Sequence, residues 1–422
     1  MNQSLDTTIE TGQYTQTADK INQCMDAAIN WLAESGLRHK TKGSQSFGSV
    51  HNGYNWRRRQ YPFIYSEITG YAISSFLNIY TSLGDQKYLQ YSKDAADYLL
   101  QLQSAEKNKL RFGAVPHSVT LPNMEITEQY WSFDNAMILQ GLADLFIQTD
   151  QQNYYRGAVL IAEWLTGTMQ HSDGSFFSMY DAQRNEICHE GPFFDKDFGC
   201  LHAKCAIGLL KTAQITGNGI FGQAARKVAD WVLSLQRDDG AFWANTRRKY
   251  IVTHAHCYAV EGLLYAHHIL KDRRYLKACI RAADWLILRQ YSDGALTILD
   301  KAIMPRGIGR VEGIFSSLRS LKFSDETAQA ARIWLILHSI TGKNQYIEAA
   351  DKALQYLSKV QCRESDDNNM VGGFYYNIDD TFSGRADENM YTWCTQFSLA
   401  AFELFLNRKS PGFYDTAIKT LF

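Results

Sequence analysis

Three side chains able to exchange protons stand at the start of apolar segments. Glu67 lies within Tyr65-Ser66-Glu67-Ile68-Thr69-Gly70-Tyr71, Asp134 follows Phe133, and His254 opens the stretch His254-Ala255-His256-Cys257-Tyr258. A carboxylate on an apolar segment is rarely buried without a partner or a function. Carboxyl and imidazole groups are the usual general acids and bases of enzymes. We therefore predict Glu67, Asp134 and His254 as catalytic residues.

Aromatic and polar residues accompany these groups and could hold a ligand. Aromatic faces stack on the C–H faces of pyranose rings, and carboxylates both bond hydroxyls and supply acid and base. The alternative is that aromatic-rich loops only fill space. The predicted substrate-binding residues are Trp56, Tyr61, Tyr71, Trp131, His202, Trp243, Arg310, Asp325, Gln329, Tyr391 and Trp393.

Structural roles compete with these chemical ones. Glu67 falls in a first helical turn, where the helix dipole stabilises a carboxylate. His254 and His256 are two residues apart, so on a helix they face different directions and cannot share a metal at one-turn spacing. A zinc site would need ligands from elsewhere. We expect one imidazole to face inward and the other to pack outside, with neither a metal nor an organic cofactor.

A repeated unit must position these residues. The copy from Phe221 to Trp243 is a helical run through Trp231 and Gln236 that ends in Asp239-Gly240, a turn signal. Self-similarity at a long period decides an architecture. Six copies cover nearly the whole chain, with anchoring aromatics at Trp31, Tyr98, Trp164, Trp231, Trp285 and Tyr356.

The helices alternate in character between copies. Amphipathic helices with apolar residues at three- and four-residue steps alternate with helices that are apolar nearly all round and so are buried. This pattern predicts an all-α, single-domain (α/α)6 toroid of six helical hairpins and twelve main helices, with short strands possible in loops. We place it at 18–422, after a polar lead-in at 1–17 that we expect to be disordered. Because all inner helices start from one rim, the candidate residues should converge there.

Composition excludes several classes of protein. The formal net charge is −1, and no basic stripe could replace the counterions of a nucleic acid. No apolar run is long enough for a transmembrane helix, and the N-terminus lacks a signal-peptide core. The eight cysteines are scattered and do not form a disulfide scaffold. We therefore expect a cytoplasmic protein with no nucleic-acid partner and no membrane insertion.

The repeat resembles the six-hairpin toroids of glycoside hydrolases, uronyl lyases and sugar epimerases. More closely, the segment 65–71, Phe133-Asp134, Thr253-His254 and Trp393 resemble a bacterial toroid family whose genes accompany exopolysaccharide and capsule biosynthesis. In place of the proline expected before Glu67, this chain has Ser66. The resemblance implies an enzyme of polysaccharide metabolism with an oligosaccharide or polysaccharide substrate. It leaves open hydrolysis of a glycosidic bond, elimination, and epimerisation at a sugar stereocentre.

Two rival functions follow from other features. The Gln-Trp-like repeat also resembles terpenoid cyclases and protein prenyltransferases, which share the toroid. The acidic cluster of the cyclases and the Asp-x-Cys pair of the prenyltransferases are missing from the inner segments. A glycan-binding protein without catalysis is the other alternative, because one fold hosts many functions.

Overall fold

Among the residues that the structure describes, twelve long helices alternate between an outer and an inner layer. The computed structural model describes residues 2–189, 199–245, 249–298, 321–378 and 387–422, with side chains from residue 18. Odd-numbered helices form the outer layer and even-numbered helices the inner one. The helices are α1 (Asn2–Glu34), α2 (Ser66–Leu83), α3 (Gln86–Leu102), α4 (Ser132–Thr149), α5 (Gln152–Trp164), α6 (Cys205–Thr216), α7 (Gly219–Leu233), α8 (Thr253–Leu270), α9 (Arg273–Ile287), α10 (Ser324–Thr341), α11 (Asn344–Val360) and α12 (Thr392–Asn407).

The inner helices close into a ring. Each packs against the next, and α12 packs against both α2 and α1. The prediction of an all-helical closed toroid is therefore confirmed by the described residues. Helix α1 begins at Asn2, inside the stretch 1–17, and the disordered lead-in there stays a prediction. Among the described residues, no helix has the length and apolar character that crossing a bilayer requires.

A glutamine in five of the six repeats joins neighbouring hairpins. Gln236 Nε2 donates to the Gly240 carbonyl at 3.0 Å and to the Ala278 carbonyl of the next outer helix at 2.8 Å. Gln361 donates in the same way to the Cys24 carbonyl of α1 at 2.8 Å, which ties the last hairpin to the first. The repeat therefore encodes the ring closure. Gln103, Gln170 and Gln290 each donate the same pair of hydrogen bonds.

The Asp-Gly turn needs its glycine for two reasons. Gly240 has φ +97°, a conformation that side chains other than hydrogen disfavour. A Cβ there would also stand 2.4 Å from the Arg281 carbonyl oxygen of the next outer helix. Asp239 Oδ1 accepts the Ala241 N–H at 3.2 Å and holds the turn.

Short antiparallel strands line one rim. Four small sheets occur among the described residues, with the orders β1-β10, β2-β3-β4, β5-β6-β7 and β8-β9. Strands β2, β5, β8 and β10 run directly into α2, α4, α10 and α12, and so fix where those helices begin. The strands are β1 (Gly53–Asn55), β2 (Ile64–Tyr65), β3 (Ser118–Thr120), β4 (Glu125–Ile126), β5 (Gln129–Trp131), β6 (Met179–Asp181), β7 (Glu186–Cys188), β8 (Lys322–Phe323), β9 (Asn377–Ile378) and β10 (Asn389–Tyr391).

Buried charges and the C-terminal segment fill the ring axis below that rim. Lys204 Nζ lies 2.8 Å from Glu261 Oε2, and Arg332 Nη2 lies 3.5 Å from Glu261 Oε1, with all three side chains fully buried. The segment after α12 contains a short helix, α13 (Phe413–Ala417). Lys204 Nζ also donates to the Phe422 carbonyl at 2.6 Å, so the end of this segment is held on the axis.

Candidate active site

Two carboxyl groups meet at the starts of neighbouring inner helices. Glu67 is the second residue of α2 and Asp134 the third residue of α4. The charge of Asp134 acts directly on Glu67, and the residues are 4% and 0% exposed. Two like charges buried together oppose each other, so the pair favours a state with one proton between the two groups. In that state a carboxylic acid stands beside a carboxylate.

Burial and charge both keep the proton on this pair. Burial raises the pKa of Glu67 well above its usual value, the negative charge and hydrogen bond of Asp134 raise it further, and His117 and Lys204 lower it. Desolvation and a like charge are the two standard causes of such a shift. Tyr65 Oη donates to Glu67 Oε2 at 2.6 Å and orients that carboxyl.

His117 completes the group from a loop. Its Nδ1 lies 2.7 Å from Asp134 Oδ2, and its ring packs edge-on against Tyr65 at 4.7 Å. Burial lowers the pKa of His117 to about 4, so the imidazole is neutral near pH 7 and donates its Nδ1 proton to Asp134. The sequence analysis missed this residue because it lies far from Asp134 along the chain. Its place just before strand β3, which pairs with the strand leading to Glu67, was the available signal.

A second polar centre stands on α8, α10 and α12. His254 Nδ1 lies 3.5 Å from Asp325 Oδ2, and Trp393 Nε1 donates to the same oxygen at 2.9 Å. The His254 side chain is 14% exposed and that of Asp325 only 2%. Glu326 follows in the same helical turn and is fully buried. The imidazole is thus the accessible member of this centre.

The two centres lie on the same side of a pair of tyrosines, Tyr71 and Tyr258, which we call the tyrosine floor. The Tyr71 and Tyr258 hydroxyl oxygens lie 3.3 Å apart, which joins α2 to α8 on the opposite side of the ring. Glu67 is one turn before Tyr71, and His254 is one turn before Tyr258 with the rings 4.3 Å apart. Burial raises the pKa of both phenols well above the usual value, so they are neutral. Glu67 and His254 therefore each lie one helical turn from a residue of the tyrosine floor.

This architecture is found in known proteins. The fold is that of the six-hairpin sugar enzymes. The structure of cellobiose 2-epimerase from Bacillus thermoamylovorans matches with a TM-score of 0.72 at 12% identity, over 92% of this chain and 99% of that one. An unsaturated glucuronyl hydrolase from a Bacillus species matches at 0.59 and 14%, over 93% and 98%. A polysaccharide lyase matches at 0.59 and 15%, over 94% and 99%.

These similarities show a shared fold and no shared activity, because the sequence identities are all low. No protein-family model matches the chain, and no curated protein matches it in sequence. The three similar structures act on sugars according to their descriptions, yet they differ in reaction. The chemistry must therefore be argued from the side chains of this chain.

Four of the predicted substrate-binding residues lie near the two centres. Tyr391 and Trp393 stack with ring centroids 4.2 Å apart and planes inclined by 16°. Trp56 Nε1 donates to the Asp387 carbonyl at 3.4 Å, and the Tyr391 hydroxyl bonds the Asp387 side chain at 3.3 Å. Trp131 is fully buried, with its ring 5.8 Å from that of His117. Their roles in binding stay predictions.

Three others lie in packing environments. The Tyr61 hydroxyl accepts the Gly36 N–H at 2.8 Å and donates to Asn369 at 2.7 Å. His202 is 1% exposed, and burial lowers its pKa to about 3. Trp243 is half-buried with the Arg237 guanidinium 4.6 Å from its ring centroid.

The remaining predictions are placed as follows. Arg310 lies outside the described residues. Gln329 is fully buried on α10, one turn after Asp325. His256 is also fully buried: its Nδ1 accepts the Phe242 N–H at 3.2 Å, and its Nε2 bonds the Ala282 carbonyl at 3.2 Å. It thus faces the outer layer while His254 faces the floor.

Proposed function

We propose that this chain is a carbohydrate-processing enzyme that moves protons on a sugar, in the manner of an epimerase or isomerase. The observation that carries the proposal is the buried Glu67 and Asp134 carboxyl pair, with Tyr65 bonded to Glu67 and His117 to Asp134. A pair that shares one proton offers an acid and a base at one place. Reversible proton transfer needs both, and neither partner requires a cofactor for it.

The reaction then balances on the pair alone. The ionised carboxylate takes the proton from the carbon next to the open-chain sugar carbonyl, and the protonated partner gives its proton to the carbonyl oxygen. For isomerisation, the pair then protonates the neighbouring carbon and takes back a proton from the other enediol hydroxyl. For epimerisation, the enediol first turns its other face to the pair, which protonates the same carbon there and takes back the hydroxyl proton. Neutral His117, which donates to Asp134 at 2.7 Å, holds the carboxylate in position through the cycle.

The other side of the floor supplies binding groups. The stacked rings of Tyr391 and Trp393 offer a surface for the apolar face of a pyranose. His254 and Asp325 stand where they can bond hydroxyl groups, with the imidazole the more exposed of the two. The epimerase of the same fold is described as acting on cellobiose, which supports an oligosaccharide as the substrate class.

Hydrolysis of a glycosidic bond is the second candidate. Glycosidases usually place their two carboxyls about 5 to 9.5 Å apart across the bond. The Glu67 and Asp134 carboxyls act directly on each other, so this pair would act as one acid. Asp325 beside His254, across the floor, would then activate the water. A glucuronyl hydrolase with this fold favours keeping this candidate.

The biological setting follows from the resemblance rather than from the site. We place the enzyme in cytoplasmic metabolism of surface polysaccharides. A soluble acidic or neutral oligosaccharide from such a polymer is the substrate to try first. Tight binding of an isoprenyl diphosphate without sugar binding would overturn this setting and the carbohydrate function together.

The test separates the two candidates in one experiment. The protein is incubated with neutral and acidic oligosaccharides in D2O and followed by NMR and mass spectrometry. Deuterium entering a carbon position without bond cleavage is expected for an epimerase or isomerase. Release of new reducing ends without such exchange identifies a hydrolase. Sugar binding with neither product in the wild-type protein would leave only a glycan-binding role.

A further inference from the structure

Three groups able to bind a metal converge on the second polar centre. One ligand atom each from His254, Asp325 and Glu326 lies within 4.8 Å of the others. They come from the first turns of α8 and α10, which pack side by side. Asp325 and Glu326 are 2% and 0% exposed, so the surrounding fold sets the positions of their side chains.

A buried amide next to this cluster provides an independent observation. Gln329 is 0% exposed, and neither its Oε1 nor its Nε2 has a hydrogen-bond partner in the described part of the chain. A buried amide with neither end hydrogen-bonded destabilises the fold, so such a side chain normally has a partner or a ligand. Asp325 Oδ1 likewise has no hydrogen-bond partner there.

Helix geometry directs this amide at the cluster. Gln329 follows Asp325 by four residues and Glu326 by three, so all three share one face of α10. Side chains on a helix lean toward its N-terminus, which carries the Gln329 amide toward the turn that holds the two carboxylates. On the same face, Arg332 points to the ring axis, where its guanidinium lies 5.3 Å from the Phe397 ring. The face is therefore the inward one.

We propose that His254, Asp325, Glu326 and Gln329 bind one divalent cation. Ligands about 2.0 to 2.2 Å from an ion stand at most about 4.4 Å apart, so a cluster within 4.8 Å needs only small side-chain shifts to close on it. One imidazole nitrogen with carboxylate and amide oxygens suits Zn2+ or Mn2+ better than Ca2+, which takes oxygen alone. Trp393 Nε1, at 2.9 Å from Asp325 Oδ2, would orient that ligand from behind.

This inference goes beyond the proposed function and does not depend on it. The sequence expectation of no metal considered His254 with His256, whereas three of the ligands here come from α10. An ion at this place would face the Glu67–Asp134 pair across the tyrosine floor. It would bind the hydroxyl or carbonyl oxygens of a sugar there, with His254 serving as its ligand.

The test measures ion binding without any sugar. Full-length protein is stripped with a chelator and titrated with ZnCl2 and MnCl2 by calorimetry, with bound metal counted by mass spectrometry. We expect one ion per chain and a rise in Tm on loading. Glu326→Gln should weaken binding at least 100-fold, and His254→Asn should do the same at a more exposed position. A fold check by circular dichroism accompanies each variant.

A half-buried carboxylate elsewhere in the ring gives the control. Glu403 lies on α12, where it accepts a hydrogen bond from Ser82 at the opposite end of the inner helices. Glu403→Gln makes the same chemical change and should leave ion affinity unaltered. The proposal is overturned if the stripped protein binds no stoichiometric ion, or if His254→Asn and Glu326→Gln bind it as well as Glu403→Gln does. Because the readout is an ion, its failure leaves the sugar chemistry to be judged separately.

Discussion

The Tyr71 hydroxyl donates to the Tyr258 hydroxyl at 3.3 Å and so spans the axis of the ring. The two residues belong to α2 and α8, which are the first and fourth of the six inner helices. Phe133 and Phe397 pack beside them, with ring distances of 4.8 Å to Tyr258 and 5.5 Å to Tyr71. This floor separates the rim chemistry above from the Lys204–Glu261–Arg332 cluster below.

The Asp134→Asn variant should lose activity while it keeps its fold. An asparagine amide fills nearly the same volume and can still accept the His117 Nδ1 proton, but it cannot share a proton with Glu67. We expect the turnover rate to fall by about 10² to 10⁴, the usual contribution of a general acid or base. Sugar turnover in D2O and a thermal melt of the same sample measure both quantities.

A second aspartate of the same helix provides the control for this variant. Asp144 lies at the other end of α4, with its Oδ1 2.7 Å from Lys211 Nζ. Asp144→Asn breaks that pair, so stability should fall by about 1 to 3 kcal/mol with turnover preserved. A large loss of stability in Asp134→Asn with unchanged turnover would instead give Asp134 a structural role.

The stability of the protein should carry the signature of Glu67. The folded pKa of Glu67 is raised, so between its unfolded pKa near 4.5 and its folded pKa the native state holds a proton that the unfolded state lacks. Stability from this group is full below about pH 4.5 and falls by up to about 1.4 kcal/mol per pH unit as pH rises through that window. The difference in unfolding free energy between wild type and Glu67→Gln should therefore decline from pH 4.5 upward. A difference that is independent of pH would contradict the raised pKa.

Buried neutral histidines should produce the opposite trend on acidification. Burial lowers the pKa values of His51 and His117 to about 4 and that of His202 to about 3. Below pH 6.5 these histidines bind protons in the unfolded chain but not in the folded one. Their contribution to the free energy of unfolding is therefore lost as pH falls from about 6.5 toward 4. Urea unfolding at pH 7.5 and 5 should show a smaller loss for His202→Asn than for wild type. Equal losses would mean that His202 is protonated in the fold.

Alanine substitutions at two glycines should distinguish the cost of backbone strain from the cost of steric crowding. Gly240 and Gly43 both have positive φ, at +97° and +82°. An added Cβ at Gly240 meets the Arg281 carbonyl at 2.4 Å, whereas one at Gly43 meets nothing within 4 Å. Gly43→Ala should cost about 1 kcal/mol, and Gly240→Ala should cost at least 1 to 2 kcal/mol more. Similar melting temperatures for the two variants would show that the hairpins are not held this closely.

The fold could be predicted because its signal is local and repeated. Residues such as Gln236 and Gly240 recur at the same places in successive copies, where each makes the same kind of contact with the next outer helix. The order of helices around a ring then places Glu67 beside Asp134 and His254 across from them. No distance was needed for that argument, only the topology.

The rest of the site depends on contacts between distant residues. His117 reaches Asp134 from a loop, and nothing in its own segment distinguishes it from a solvated histidine. The sequence likewise gave no sign that Lys204 and Arg332 would meet Glu261 on the axis, because the three belong to different helices. The direct action of Glu67 and Asp134 on each other could not be predicted either, because the topology gives the order of the helices and not the distances between side chains.

Infrared spectroscopy tests most directly whether Glu67 and Asp134 share one proton. Wild-type protein, Glu67→Gln and Asp134→Asn are compared in D2O at neutral pH, in the region where a protonated carboxyl absorbs apart from a carboxylate. We predict a protonated carboxyl band in the wild type that is lost or shifted in either variant, because each change alters the partner of the remaining carboxyl. Identical spectra of all three proteins in that region would show that the two groups share no proton and would contradict the proposed proton transfer.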